Sequence, residues 1–309
     1  MRVLITGGAG YIGTVLTQLM LDQLHSVLCY DTLEHGVNRI LGFFRNSRFE
    51  MVKGDIRDAA KLGGAIRKAD AIFHLASVVG YPACNRDAEL AQEVNVGGTR
   101  LLNRLRSADQ PIMFASTGSN YGPVPSGVCT EDLPLNPRTL YARTKAEAEN
   151  ILLEKSGVVV YRLATAFGLS PALRLDLLVN DFCYKAVHKG ALVVYEANAK
   201  RTFIDVYDIA RAFLHALENL DRMRDGIYNC GDDRMNASKL EVAQLIQRQV
   251  DCVVKLADVG TDEDQRDYEV SYNKISATGY RTTISLEEGI SRMIAAFRFL
   301  PDASAPIKP

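Results

Sequence analysis

The chain has 309 residues, of which 47% are hydrophobic and 24% are charged, and its formal net charge is −1. This is the composition of an ordinary globular protein that is long enough to bury a substantial core. The sequence has no basic block and no stripe of basic residues interleaved with aromatic ones, so we expect no nucleic-acid partner. No apolar run approaches the roughly 20 residues that span a bilayer, so we expect no membrane association.

The six cysteines are scattered along the chain, without CxxC spacing and without clustering with histidine. This distribution argues against a zinc site and against a disulfide framework, and it fits a reducing compartment. The N-terminal stretch MRVLITGG has an apolar run that is too short for a signal peptide. The sequence therefore predicts a cytoplasmic protein with no bound metal.

Short apolar segments alternate with helical patterns through the first half of the chain. The predicted strands are Arg2–Thr6, Ser26–Tyr30, Phe49–Lys53, Ala71–Leu75, Ile112–Ala115 and Val158–Leu163. The predicted helices are Ile12–Leu24, Ala59–Lys68, Leu90–Ala108 and Tyr141–Lys155. Strands rich in Val, Ile and Leu that alternate with helices predict an α/β protein with a doubly wound parallel sheet of the Rossmann type. The pattern loosens after about Gly168.

The stretch VLITGGAGYIG places glycines at positions 7, 8, 10 and 13, after the first predicted strand and at the start of a helix. Glycines allow a tight turn and close backbone approach to a ligand, and a helix N-terminus attracts a pyrophosphate. Asp31 ends the next strand pattern, near the offset at which a carboxylate binds ribose hydroxyls. Because a carboxylate repels a 2′-phosphate, the pattern favours NAD over NADP. The alternative is a glycine-rich turn followed by a helix-capping Asp.

Six motifs occur in one order along the chain: TGGAGYIG, GDIRD, FHLAS, STGSNYG, YARTK and RTFIDVYDIARAF. With them the chain resembles the extended short-chain dehydrogenases/reductases. More narrowly, it is similar to the NAD-dependent nucleotide-sugar epimerase/dehydratase family, which includes UDP-glucose 4-epimerase. The resemblance covers the chain from its start to about Phe297.

The resemblance implies a division of the chain into two interleaved domains. The expected NAD-binding Rossmann domain is 1–165, with returning segments near 201–216 and 226–231. The expected substrate-binding domain is smaller and lies mainly at 166–300. The last residues, 301–309, have no periodicity and are predicted to be a disordered tail.

The resemblance also implies a set of cofactor contacts. Asp55 in GDIRD is expected to accept a hydrogen bond from the adenine amino group, with a helix N-cap as the alternative for this residue. The residues expected to contact NAD are Gly7, Gly10, Tyr11, Ile12, Gly13, Asp31, Asp55, Ile56, Leu75, Ala76, Tyr141 and Lys145.

Tyr141 and Lys145 lie four residues apart, which puts them on one face of a helix. The resemblance places the lysine ammonium beside the cofactor ribose and near the phenol. A nearby cation lowers a phenol pKa from about 10 toward neutrality, so Tyr141 can take a proton from a sugar hydroxyl while a hydride moves to NAD. Thr117, just past a predicted strand end, is expected to hydrogen-bond the reacting hydroxyl. The alternative is an ordinary helix start with an exposed lysine.

The two residues after Thr117 bear on the choice of reaction. Family 4,6-dehydratases typically carry Asp-Glu there, because eliminating water needs a second acid and base, whereas this chain has Gly118 and Ser119. Oxidation at one sugar carbon, C4 by analogy, needs only Thr117, Tyr141, Lys145 and the cofactor. We therefore expect a nucleotide-sugar 4-epimerase. A net 4-dehydrogenase is the first alternative, ahead of a dehydratase, a reductase or a non-catalytic NAD-binding sensor.

The substrate is expected to be a nucleotide-diphosphate sugar, whose phosphates would attract arginines. The resemblance gives Arg201 and Arg266 as candidates for this contact, with a surface arginine as the alternative for each. Asn180 matches a family asparagine that binds a phosphate or sugar oxygen, and a helix N-cap is its alternative. Val78 and Tyr81 follow the fourth predicted strand and are expected to line the cleft between nicotinamide and sugar.

Two further expectations concern packing. His74 is predicted to be a packed strand residue rather than a catalyst. In the family, the helices that match Leu90–Ala108 and Tyr141–Lys155 pack against a second copy, which implies a homodimer. Both stretches carry apolar residues on more than one face, and burial within the monomer would explain much of the same pattern.

Overall fold

The computed structural model describes residues 1–124, 127–257 and 267–301. Its strands are β1 Arg2–Thr6, β2 Ser26–Asp31, β3 Phe49–Lys53, β4 Ala71–His74, β5 Ile112–Thr117, β6 Val128–Cys129, β7 Val158–Leu163, β8 Thr165–Phe167, β9 Ala191–Tyr195, β10 Lys200–Asp205, β11 Gly226–Cys230, β12 Asn236–Ser238, β13 Val253–Ala257 and β14 Glu269–Val270.

The α-helices of the same residues are α1 Tyr11–Asp22, α2 Ala59–Ile66, α3 Tyr81–Arg86, α4 Ala88–Gln92, α5 Thr99–Leu105, α6 Leu140–Leu153, α7 Leu178–Lys189, α8 Val206–Glu218, α9 Leu220–Met223, α10 Lys239–Gln247, α11 Asn273–Ala277 and α12 Leu286–Phe297. A π-helical segment, Glu93–Gly98, joins α4 to α5. Short 3-10 helices occupy Asn38–Arg45, Gly118–Tyr121 and Asp233–Met235. No helix in these described ranges is long and apolar enough to cross a membrane.

Seven strands form the main sheet in the order β11-β7-β5-β4-β1-β2-β3, and every neighbouring pair is parallel. This confirms the predicted Rossmann-type sheet. The strand order changes direction between β1 and β4, because the chain builds one half outward to β3 and the other outward to β11. In such sheets a ligand binds outside the carboxyl ends of the strands at this reversal.

The main differences from the predicted elements lie at the carboxyl ends of the strands and in one helix. Strand β5 continues to Thr117, which pairs with Leu163 of β7, so Thr117 is the last strand residue, whereas the predicted strand ends at Ala115. The predicted helix Leu90–Ala108 is interrupted by the π-helical segment and ends at Leu105. Gly98 in that segment lies against Ile56, where a Cβ would approach Ile56 Cγ2 to 2.5 Å.

Both faces of the main sheet are covered by helices. On one face α1 and α8 pack together, with Leu16 and Phe213 in the shared core. On the other face α2, α5 and α6 contribute Leu62, Leu102 and Leu152 to a second core. All five side chains are fully buried, and burying a side chain of this kind contributes about 1.5–3 kcal/mol.

A third core lies among α7, α10 and α12, with β8, β10 and β12 forming a small sheet beside it. The segment 201–216 is divided between the two sheets. Its helix α8 packs against α1, which covers the main sheet, whereas its strand β10 pairs with β8 and β12 in the small sheet. Strand β11 is the last strand of the main sheet. The predicted tail at 301–309 lies outside the described residues except for Pro301.

Candidate active site

The turn between β1 and α1 has room for glycine alone at its key positions. Gly7 has φ +73°, and a Cβ there would lie 2.7 Å from the backbone nitrogen of Ala76. A Cβ on Gly13 would overlap the carbonyl oxygen of Gly7 and lie 2.7 Å from Gly8 Cα. Because the methyl group of Ala9 is the one side chain among residues 7–10, the backbone at the N-terminus of α1 can approach a ligand closely. The turn therefore has the shape that the pyrophosphate of a dinucleotide requires, and the contacts predicted for Gly7, Gly10 and Gly13 stay predictions.

Asp31 ends β2 beside this turn. Its Oδ2 accepts a hydrogen bond from Ala9 N at 3.1 Å, and its Oδ1 accepts one from Leu33 N at 2.9 Å. These two bonds hold a carboxylate at the rim of the glycine turn, where the sequence predicts a contact with ribose hydroxyls. The ribose contact itself stays a prediction.

Asp55 and Ile56 follow β3, which is the neighbour of β2 in the main sheet. The Asp55 carboxylate pairs with Arg57 at 2.7 Å, and this hydrogen-bonded guanidinium lowers the pKa of Asp55. The N-cap of α2 is Asp58, whose Oδ1 accepts from Ala60 N and Lys61 N. The capping alternative therefore applies to Asp58, and Asp55 keeps its predicted adenine contact as an open expectation.

The carboxyl end of β4 lies directly against the glycine turn. Leu75 N donates to Thr6 O at 3.0 Å, and Ala76 is the residue that packs against Gly7. Ser77 and Val78 continue this loop, and Tyr81 is the first residue of α3. The predicted cofactor residues Leu75 and Ala76 therefore lie against the turn, and the predicted cleft residues Val78 and Tyr81 follow them directly in the chain.

Tyr11 and Asn180 are both hydrogen-bonded to the loop that follows β8. Tyr11 donates its hydroxyl to Gly168 O at 2.8 Å. Asn180 is fully buried, accepts from Gly168 N at 3.0 Å and donates to Arg174 O at 2.9 Å. Helix α7 begins at Leu178, so Asn180 is not its N-cap. Asn180 thus joins the loop after β8 to Tyr11 of α1, and its predicted substrate contact stays a prediction.

Thr117 and Ser119 form a hydroxyl pair at the end of β5. Thr117 Oγ1 donates to Ser119 Oγ at 3.1 Å and accepts from Ser119 N at 3.2 Å. The bond from Ser119 N caps the short 3-10 helix that follows, so it fixes the direction of the threonine side chain. Ser119 is not among the site residues predicted from the sequence, and the structure places it next to the predicted catalytic Thr117.

Helix α6 carries the other two predicted catalytic residues in its first two turns. Thr139 caps the helix by accepting from Ala142 N at 3.1 Å. Because Tyr141 and Lys145 lie four residues apart in this helix, they share one face. Lys145 is buried, with its Nζ 4.1 Å from the centroid of the Phe114 ring on β5. Burial lowers the pKa of Lys145 to about 7, although the charge of Glu149 opposes this shift. Lys145 therefore lies beside β5 in surroundings that disfavour its charged form.

His74 lies beneath this junction and is packed, as predicted. Its Nδ1 lies 2.9 Å from Thr6 Oγ1 and its Nε2 lies 2.9 Å from Thr99 Oγ1. Complete burial, with a smaller contribution from the charge of Lys145, lowers the pKa of His74 to about 3. The imidazole is therefore neutral at ordinary pH and serves as a buried hydrogen-bonding bridge.

Asn95 connects the cleft loop to the catalytic helix, which no sequence pattern had indicated. Its Oδ1 accepts from Val78 N at 2.7 Å and from Ser77 Oγ at 2.9 Å. Its Nδ2 donates to Thr144 Oγ1 at 3.0 Å and to Val78 O at 3.1 Å. A single buried amide in the π-helical segment thus sets the position of the loop that follows β4 relative to α6.

A buried ion pair, Glu149 with Arg162, lies behind the catalytic residues. Arg162 Nη2 is 3.0 Å from Glu149 Oε2, and the two side chains are only 4% and 2% exposed. The sequence indicates where Glu149 lies, since it follows Tyr141 and Lys145 at four-residue spacing on the same helical face, but it does not indicate the pairing with Arg162.

The two predicted phosphate-binding arginines have different outcomes. Arg201 is a buried residue of β10, in register with Ala237 of β12 in the small sheet. Its contact with a phosphate stays a prediction. Arg266 lies outside the described residues.

Curated relatives match along nearly the whole chain. A low-salt glycan biosynthesis protein of Haloferax volcanii, Agl12, is 30% identical over 95% of this chain and 97% of its own length. The CDP-paratose 2-epimerase of Salmonella typhi is 26% identical over 95% of this chain and 98% of its own length.

Solved structures share the fold at similar identity. The UDP-glucose 4-epimerase of Thermus thermophilus, in complex with NAD, has a TM-score of 0.82 and 26% identity, with 97% of this chain and 99% of that chain covered. The dTDP-glucose 4,6-dehydratase DesIV of Streptomyces venezuelae, with NAD bound, has a TM-score of 0.85 and 25% identity, with 96% and 97% covered. The family described as "NAD dependent epimerase/dehydratase family" matches residues 3–231, and this chain belongs to it.

Proposed function

We propose that this protein is an NAD-dependent nucleotide-sugar 4-epimerase, which inverts a sugar carbon, C4, by way of a 4-keto intermediate. The observation that carries the proposal is the junction of β5 and α6 beside the glycine turn. There Thr117 ends a strand next to the helix that presents Tyr141 and the buried Lys145. The junction lies at the carboxyl ends of the strands, where this type of sheet binds its ligands.

Each of these side chains has a role in the proposed reaction. The Lys145 ammonium favours the phenolate form of Tyr141, which takes the proton of the sugar hydroxyl. Thr117 is held by the bond from Ser119 N, and its hydroxyl turns from Ser119 Oγ to donate a hydrogen bond to the oxygen from which the proton leaves. The chemistry that NAD supplies when bound is reversible acceptance of a hydride from the sugar carbon. After the ketone has turned its opposite face toward the cofactor, the hydride would return to C4 on that face, and Tyr141 gives its proton back to the ketone oxygen, which completes the inversion.

The residues after Thr117 support redox chemistry at one carbon over elimination. Gly118 has no side chain, and its carbonyl oxygen accepts a hydrogen bond from the hydroxyl of the buried Tyr268 at 2.6 Å. Ser119 is bonded to Thr117. These positions therefore hold no carboxyl group that could remove or donate a proton at a second carbon. This distinguishes the chain from the Asp-Glu pattern of family 4,6-dehydratases.

Assembly and location are part of the same proposal. We expect a homodimer formed through α5 and α6, whose outward surfaces carry the Arg100–Glu147 ion pair at 3.3 Å and the partly exposed Leu153. We expect a cytoplasmic enzyme, consistent with six free, buried cysteines. Size measurement by light scattering, with Leu153→Glu as the variant, tests the dimer.

The decisive experiment is incubation of the purified protein with UDP-, GDP-, dTDP- and CDP-sugars, followed by NMR of the products and absorbance in the NADH band. A C4 epimer without net NADH is the expected result. Accumulation of NADH together with a ketone would instead make the protein a 4-dehydrogenase, and loss of water would make it a dehydratase.

The matched variant is Tyr141→Phe, which removes the phenol oxygen and keeps the ring. We expect turnover to fall by about 10²–10⁴-fold, because the general base is lost. NAD affinity by calorimetry and the melting temperature should change little. Unchanged turnover or phenotype in this variant would favour a non-catalytic NAD-binding sensor.

A further inference from the structure

A cluster of buried polar side chains joins the end of β5 to the middle of α6. Glu149 Oε1 accepts hydrogen bonds from Ser116 Oγ and, at 2.7 Å, from Asn120 Nδ2. Asn120 Nδ2 also donates to Ser116 Oγ at 3.1 Å. Arg162 donates from Nη2 to Glu149 Oε2 at 3.0 Å. A single carboxylate is therefore bonded to both sides of Thr117 in the chain and to the neighbouring strand β7.

Arg162 is held in turn by groups beyond the carboxylate. Its Nη1 donates to Tyr121 Oη and to Glu131 O, both at 3.2 Å. Tyr121 donates its hydroxyl to Asn229 Oδ1 at 2.6 Å. Four elements, β5, the 3-10 helix after it, β7 and β11, are thereby connected through Glu149 to the catalytic helix.

We propose that Glu149 is a positioning residue: it fixes the strand end that carries Thr117 against the helix that carries Tyr141 and Lys145, and it places a negative charge one helical turn from the lysine ammonium. The inference rests on the proposed function, because it assigns Glu149 a part in holding that catalytic set. Glu149 itself is 1% exposed and acts through Lys145 and Thr117.

The charge environment of Lys145 makes the second part of this role specific. The groups that face it are the Phe114 ring from β5, His74 from β4, Cys84 from α3, and Tyr141 and Glu149 from its own helix. His74 is neutral at ordinary pH, and burial raises the pKa of the Cys84 thiol, which therefore also stays neutral. Glu149 is thus the carboxylate partner whose charge opposes the lowering of the Lys145 pKa by burial.

Two variants break the same ion pair, and together they distinguish an effect of the Glu149 charge on Lys145 from a general effect on the stability of the fold. Glu149→Gln removes the negative charge beside Lys145, whereas Arg162→Met keeps that charge and removes its partner. Both variants should lower the melting temperature, because each leaves one buried charge unpaired. The double variant Glu149→Gln/Arg162→Met leaves no unpaired charge, so it should recover much of that loss and remain folded if Glu149→Gln alone does not.

The pH dependence distinguishes positioning from general stability. In Glu149→Gln and in the double variant, we expect the high-pH limb of turnover, where Lys145 loses its proton, to move down by roughly one pH unit. In Arg162→Met the same limb should stay in place or move up. NAD binding by calorimetry from about pH 6 to about pH 9 should show the same shifts, because Lys145 is expected to bind the ribose.

The measurement of NAD binding as a function of pH keeps this test independent of the sugar reaction. If no nucleotide sugar is converted by the wild type, the proposed function fails, and the shift in NAD binding still decides the role of Glu149. Equal pH profiles in Glu149→Gln and Arg162→Met would overturn the proposal. So would recovery of turnover in parallel with the melting temperature in the double variant, because that result assigns Glu149 a purely structural role.

Discussion

The glycine turn and the β5–α6 junction lie at the same end of the sheet but are built in opposite ways. The turn depends on side chains that are missing, since a Cβ on Gly7 or Gly13 would meet backbone atoms. The junction depends on buried polar side chains, chiefly Glu149 and Asn95, that cross between elements distant in sequence. Sterics therefore set the cofactor end, and hydrogen bonds and charge set the catalytic end. Substitutions should affect the two ends through different measurements.

The largest expected effect is at the cofactor end, with Gly13→Ala. Its Cβ would overlap Gly7 O and meet Gly8 Cα at 2.7 Å, and both are backbone atoms that cannot move aside locally. We expect NAD affinity, measured by calorimetry, to fall by roughly 100-fold or more, which corresponds to about 2.7 kcal/mol. The control is Gly64→Ala in α2, where a Cβ meets nothing within 4 Å. That variant should bind NAD normally and be slightly more stable. Equal NAD affinity in both variants would contradict the steric account of the turn.

An intermediate effect is expected at the catalytic end, with Asn95→Ala. The change removes the bonds that join Val78 to Thr144, so the cleft loop and α6 can shift relative to each other. We expect turnover to fall about 10–100-fold, because small displacements of reacting groups are costly, while NAD affinity changes little.

Gln92→Ala is the matched control for Asn95→Ala. Gln92 also reaches α6, through a bond of 3.2 Å to Glu147, but at an exposed position. Turnover in the control should stay within about twofold of the wild type, since exposed polar contacts contribute little. If Asn95→Ala lowered NAD affinity as much as turnover, the division between the two ends would not hold.

The smallest expected effect concerns Asp205, the last residue of β10, which lies against the loop after β8. Asp205 caps α8 by accepting from Tyr207 N at 2.8 Å, and its Oδ2 lies against Gly168. Burial raises the pKa of this carboxyl to about 6, with the charge of Asp208 adding to the effect. Because the folded pKa lies above the unfolded value, the free energy of unfolding should fall as pH rises from about 4 to about 6.

Asp205→Asn should remove this dependence, since an amide keeps the capping oxygen without the charge. We expect the variant to be about 2 kcal/mol more stable than the wild type above pH 6.5 or so and nearly equal to it near pH 4. Urea unfolding at several pH values measures this difference. A variant less stable than the wild type at neutral pH would mean that the ionised carboxylate stabilises the fold.

The sequence predicted the Rossmann-type sheet and most of its strands because strands and glycine turns have local patterns. It also predicted that Thr117, Tyr141 and Lys145 belong to one site, through spacing and resemblance. It did not predict Ser119 or Asn95, whose partners lie across a turn or on another helix. Nor did it predict the bonds of Asn180 to Gly168 and Arg174, and the ligand contact that it did predict for Asn180 stays a prediction.

The sequence by itself determined the cofactor end and the family. A positive φ and close backbone approach require glycine, so the glycines of the turn occur at fixed positions with a fixed spacing. The tertiary structure alone decided which buried polar groups meet. Glu149 and Arg162 are 13 residues apart on a helix and a strand, and their partners Tyr121 and Asn229 are farther still. A buried polar group must find a partner wherever the fold brings one, and no local pattern records where that is.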